Sequence, residues 1–90
     1  MEYADALQIV KYKVAELANS TQLSEDSELI GDGSVMDSMK LVELCLALED
    51  NATDVGFEFD WTSESAMSRA RSMFRTIGSL ATEYATQSKR

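Results

Sequence analysis

Ninety residues with sixteen Asp and Glu against eight Lys and Arg carry a formal charge of −8, which excludes nucleic acid as the expected partner, because phosphate contacts need a basic patch. Histidine is absent, which removes Ser-His-Asp and Cys-His constellations and the usual zinc ligands, and the single cysteine, Cys45, leaves no intrachain disulfide. With 44% hydrophobic residues and no apolar run near ~18 residues, the composition points to one globular domain over 1–90, cytoplasmic and without stable membrane insertion.

The opening stretch MEYADALQ is acidic and polar, unlike a secretory signal. In residues 3–18 the apolar set Tyr3, Leu7, Val10, Val14 and Leu17 recurs at helical spacing, one face of an amphipathic first helix that Asn19-Ser20-Thr21 ends. Residues 20–37 read as a long loop containing Gly31 and Gly33 and pinned to the core by Leu23, Leu29, Ile30 and Val35. Loops of this length inside a small domain are uncommon and often functional. No calcium loop fits here. Starting at Asp26, position 5 is Ile30; starting at Asp32, position 5 is Met36 and position 6 is Asp37. No metal site is expected.

A second helix is predicted from about Ser38 to Asn51. By the 100° step of a helix, Leu41, Leu44, Cys45 and Leu48 form one apolar stripe, and Met39, Val42 and Leu46 a second, roughly 140° away. A helix packed on one side needs only the first stripe. The second is either covered by another element or left open to a partner; bordered by acids, it would suit a basic groove. Cys45 falls on the core stripe and reads as a small buried hydrophobe.

Between the second and third helices, VGFEFDW alternates Phe57 and Phe59 with Glu58 and Asp60, an extended segment too short to make a sheet alone. A short third helix is predicted over Glu64 to about Arg71, capped by Thr62 or Ser63. The last spans about Ile77–Gln87, with Thr76 as its cap and Ile77, Leu80, Ala81 and Tyr84 as its apolar stripe. The expected fold is all-α: a small four-helix bundle of three main helices plus one short helix, with a long first loop.

Ser38 stands at the junction of loop and second helix. A serine there is a preferred N-cap, its hydroxyl accepting from a backbone N–H one turn on. The same place suits an anion, because a helix start presents free N–H groups and a partial positive charge. The residues leave both readings open.

DSMKLVELCLALED resembles the Asp-Ser-Leu/Met signature and following acidic helix of acyl carrier proteins. VGFEFD is similar to that family's "FGIEI" stretch, and FRTIGSLATEYATQ to its closing helix, so the likeness spans nearly the whole chain. The pattern departs in places. Val35 stands where glycine is frequent, Lys40 where an acid is common, and NATDV with WTSESAMSRAR lengthens the stretch between the second and last helices. The Gly-Gly-His/Asp-Ser pattern of peptidyl carriers is absent.

The resemblance implies that a phosphopantetheinyl transferase moves phosphopantetheine from coenzyme A to Ser38, whose arm then tethers acyl groups as thioesters. It implies a monomeric carrier without catalytic activity of its own, in a specialised lipid or secondary-metabolite pathway. Asp37, Met39, Val42, Glu43, Leu46 and Glu49 are then the residues that the transferase and the acyl-transferring and acyl-modifying enzymes read through basic docking patches. The alternative is a small acidic helical adaptor that binds a basic partner through the same face without covalent modification.

Whatever its role, so acidic a chain repels itself. Its melting temperature at neutral pH should rise between low and moderate salt, followed by circular dichroism; a flat response would contradict the repulsion.

Overall fold

A computed structural model of the chain describes residues 1–19, 22–30 and 37–89, without the side chain of Ser38. Four helices follow in order: α1 (Tyr3–Ala18), α2 (Ser38–Val55), α3 (Glu64–Met73) and α4 (Ile77–Ser88). No strand forms among the described residues; the extended pairing there is a single antiparallel bridge between Glu28 and Thr76. The architecture is the all-α bundle that the periodicity predicts. The expected anchor Val35, the glycines Gly31 and Gly33, and Ser20, Thr21 and Arg90 lie outside the described residues.

α1 packs against both α2 and α4, and α3 lies against α4. The inward face of α1 is Ala6, Val10 and Val14, all fully buried, while Leu7 and Leu17 pack at its margin. Tyr3, expected on that stripe, is 39% exposed instead. Its hydroxyl donates to Glu25 Oε2 at 3.1 Å, so the ring ties the first loop to α1 and does not fill the core. α1 ends at Asn19, in the left-handed conformation at φ 53°, which asparagine tolerates better than most residues.

α2 runs one turn past the expected end at Asn51. Asn51, Thr53 and Asp54 read as a break, but Ala52 is fully buried and continues the Leu41–Cys45–Leu48 stripe, so packing extends the helix through weak formers. Gly56 stops it at φ 99°, a conformation costly for any side chain, and its N–H donates to the Ala52 carbonyl at 2.9 Å. α3 begins as expected at Ser63, whose hydroxyl accepts from the Ala66 N–H, and extends to Met73, which is buried with Phe74. α4 has a reciprocal cap in which the Thr76 side chain accepts from the Ser79 N–H and the Ser79 hydroxyl from the Thr76 N–H.

The described part of the first loop is fastened to the start of α4. The N–H groups of Ile77 and Gly78 donate to the carbonyls of Ser27 and Glu25 at 2.9 and 2.8 Å, and the Leu29 N–H donates to the Arg75 carbonyl. Helix-start donors that need acceptors meet loop carbonyls that need donors. Leu29 enters the core at 1% exposure, and Leu23 and Ile30 pack beside it as expected.

Gly78 permits this approach. A Cβ there would meet the Glu25 carbonyl oxygen at 2.9 Å and the Tyr3 hydroxyl at 3.2 Å. Gly78→Ala would gain up to ~1 kcal/mol of helix propensity, whereas forced overpacking costs ~1–3 kcal/mol. The clash should win, because the nearest atom belongs to backbone. The expected outcome is a net loss of about 1 kcal/mol, read as a melting temperature roughly 4–8 °C lower.

Candidate functional site

The start of α2 is built by Asp37, not by Ser38. Asp37 holds an extended backbone (φ −84°, ψ 176°), and its Oδ1 accepts from the Lys40 N–H at 2.9 Å. The expectation that Ser38 caps the helix is therefore corrected: Asp37 takes that place, an equally favoured N-cap, and Ser38 is the first residue inside the helix. The Asp37 carbonyl accepts from Leu41, so the N–H groups of Lys40 and Leu41 are taken, while those of Ser38 and Met39 lie in the first turn, where no acceptor exists within the helix itself.

From that point an apolar stripe runs along the solvent side of α2. Met39 is 77% exposed, Val42 47% and Leu46 50%, which settles the second stripe as open among the described residues. Leu44, Cys45 and Leu48 on the opposite side are buried, and Leu41 packs at their edge. Helical geometry places the exposed Glu43 and Asp50 along one border of the open stripe and the half-buried Glu49 along the other. The structure thus brings Met39, Val42, Glu43 and Leu46 onto one face, with Glu49 at its far margin, while Asp37 sits at the helix start as its cap and is not placed on that face. Such a face can dock an apolar ridge carrying basic side chains.

A second feature was not anticipated. Beyond the end of α2, Thr53, Gly56, Phe57, Glu58, Asp60 and Gln87 line an open cleft of about 650 Å³. Its organiser is Gln87, 4% exposed. The Gln87 amide donates to the Asp60 carbonyl at 2.9 Å and to Glu83 Oε2 at 2.7 Å, and its oxygen accepts from the Asp60 N–H at 2.6 Å. Glu83 also pairs with Arg69 at 3.0 Å, which joins α3 to α4. Asp60 in turn accepts from the hydroxyl and the N–H of Ser63, and these bonds hold its carboxyl below the ordinary 3.8. What that contact adds to folding is present above the ordinary value and is lost as pH falls through the lower folded one. One sequence signal pointed here: Gln87 continues the Leu80–Tyr84 register of α4, a polar residue at a core position. The cleft holds no nucleophile–base pair, and no group of three metal-ligating side chains occurs among the described residues.

Compared with family models, with curated proteins and with solved structures, the chain gives no match. The likeness to carrier proteins therefore rests on its own motif and on the order of its segments.

Cys45 is expected to be inert. It is 1% exposed, and burial, with Glu49 nearby adding a smaller push, raises its thiol to about 12. Native protein at neutral pH should react with a thiol reagent far more slowly than unfolded protein. Because the unfolded chain releases this proton first, alkali above the ordinary value of 9.0 should favour unfolding. A native thiol that titrates rapidly with Ellman's reagent would contradict the burial.

Proposed function

We propose that the chain is an acyl carrier protein whose Ser38 bears phosphopantetheine. The observation that carries the proposal is the exposed Met39–Val42–Leu46 stripe, which begins one residue after an Asp-Ser pair at a helix start. Asp37 caps the helix, Ser38 opens it, and the surface a modifying enzyme would need lies directly alongside. A phosphodiester at this position would be stabilised by the helix start. The group would supply a terminal thiol for thioester formation; the chain's own part is to tether at Ser38 and to be recognised through Asp37, Met39, Val42, Glu43, Leu46 and Glu49.

In this reading the protein performs no catalysis of its own and serves cytoplasmic enzymes with basic docking patches: the phosphopantetheinyl transferase first, then acyl-transferring and acyl-modifying enzymes of a specialised lipid or secondary-metabolite pathway. No helix among the described residues is long and apolar enough to cross a membrane, in keeping with a carrier that meets its enzymes in water. The adaptor alternative uses the same face and leaves Ser38 unmodified.

The test is intact mass after incubation with coenzyme A and a promiscuous phosphopantetheinyl transferase. Wild type should gain one phosphopantetheine and Ser38→Ala none; a loaded Ala variant, or a wild type that stays unmodified, sinks the assignment. Ser38→Ala should change stability little, whereas Asp37→Ala removes the cap and should cost ~0.5–2 kcal/mol. Val42→Asp should stay folded, since the site is open, and should weaken transferase binding by ~2–3 kcal/mol if the contact is desolvated. Glu43→Lys should act on the association rate and respond to ionic strength. A folded Val42→Asp protein modified at the wild-type rate removes the docking role.

A further inference from the structure

We infer that Tyr84 closes the interior of the bundle to cargo, so that the groups carried are short or polar acyl groups held outside the helices. The inference rests on the carrier reading above.

A long apolar chain tethered at Ser38 would gain with every methylene it removes from water, so the nearest apolar interior decides where it rests. That interior lies between the inner face of α2 and the facing side of α4. Leu48 is ten residues beyond Ser38, about 15 Å along the helix, within reach of a flexible arm carrying an alkyl chain.

Tyr84 occupies that space. It is the largest of the fully buried side chains among the described residues, and its ring meets Phe57 and Phe59 edge-on, with centroids 5.1 and 5.0 Å away. Leu44, Leu48, Ile77 and Leu80 are likewise at 0% exposure. An apolar residue here could change rotamer to admit a guest, but Tyr84 is tied at its far end. Its hydroxyl donates to the Leu48 carbonyl at 2.7 Å and accepts from Asn51 Nδ2 at 3.1 Å. Swinging the ring aside would break both bonds and strand the hydroxyl in an apolar interior. The two clefts lined by Thr53, Glu58 and Asp60 at the far end of α2 offer no substitute, since these residues make them polar. Tyr84 therefore sets specificity by exclusion.

The experiment has two arms. In the first, Ser38 is loaded with butyryl- or octanoyl-phosphopantetheine from the corresponding coenzyme A thioester, and loading is checked by intact mass. Thioester hydrolysis is then compared with that of free octanoyl-pantetheine, together with amide shifts at Leu44, Leu48 and Tyr84. Wild type should hydrolyse within about twofold of the free thioester, with unmoved core shifts for both cargoes. Tyr84→Leu, which frees the space and removes the tether, should protect octanoyl severalfold and move those shifts. Protection in wild type, or none in a folded Tyr84→Leu, overturns the inference. If Tyr84→Leu does not fold, Tyr84→Phe keeps the ring and loses only the tether; partial protection supports the role of the hydroxyl, and wild-type behaviour overturns it. The second arm needs no arm on Ser38: dissolved benzene should shift core methyl resonances in unmodified Tyr84→Leu and not in unmodified wild type, and binding to wild type overturns the inference. Failure to load Ser38 would remove the carrier reading, while the benzene arm would still decide whether Tyr84 closes the core.

Discussion

Across the middle of the bundle, the Tyr84 hydroxyl donates to the Leu48 carbonyl, a side chain of α4 reaching the backbone of α2. α1 approaches both of these helices closely, and the space between α2 and α4 is bridged by large side chains. The bond acts together with the burial of Leu44, Cys45, Leu48 and Ala52 to set how α2 is rolled about its axis, and with that face inward Met39, Val42 and Leu46 face out. Burial also pushes the Tyr84 phenol above its ordinary value, so the hydroxyl keeps its proton, and with it the donated bond, well above neutral pH.

The rest of the chain serves to hold that arrangement with few residues. Burying a Leu- or Phe-sized side chain is worth ~1.5–3 kcal/mol, and a chain of this size has few to bury. Polar fasteners complete the work. The start of α4 takes two carbonyls of the first loop at Ile77 and Gly78, and Gln87 near its end takes both backbone groups of Asp60. α4 thereby anchors the described part of the first loop and the segment leaving α2. Each fastener satisfies backbone groups that would otherwise need other partners.

α2 has two apolar faces with different surroundings. Its inner face is core, and its outer face, bordered by Glu43, Asp50 and Glu49, is exposed. Under the proposed function, changes on the outer face act on recognition and changes on the inner face on folding, so the two can vary separately. Lys40, exposed near the helix start, adds a positive charge two residues from Ser38, beside the otherwise acidic border of this face.

Helical periodicity and cap residues placed all four helices, the cap of α3 at Thr62 or Ser63, that of α4 at Thr76, and the buried stripe of α2 with Cys45 on it, because a 3.6-residue repeat and a cap are local properties written into neighbouring residues. The Met39–Val42–Leu46 stripe was legible for the same reason, whereas the interest of the Asp-Ser pair came from the resemblance of its motif. Four matters needed the tertiary structure. The cap fell to Asp37 and not to Ser38, since both residue types can cap and only the backbone angles choose. α2 ran on to Val55, since Ala52 found a core to enter. The third was a pair of long-range bonds: Tyr3 left the core stripe to bond Glu25, and Gln87 entered a core position to hold Asp60, through partners 22 and 27 residues away. The openness of the Met39–Val42–Leu46 stripe was the fourth. A helix with two apolar faces states its own amphipathicity, but which face is covered depends on where the other helices pack, and that is decided by long-range contacts such as Tyr84 with Leu48 that no local pattern contains.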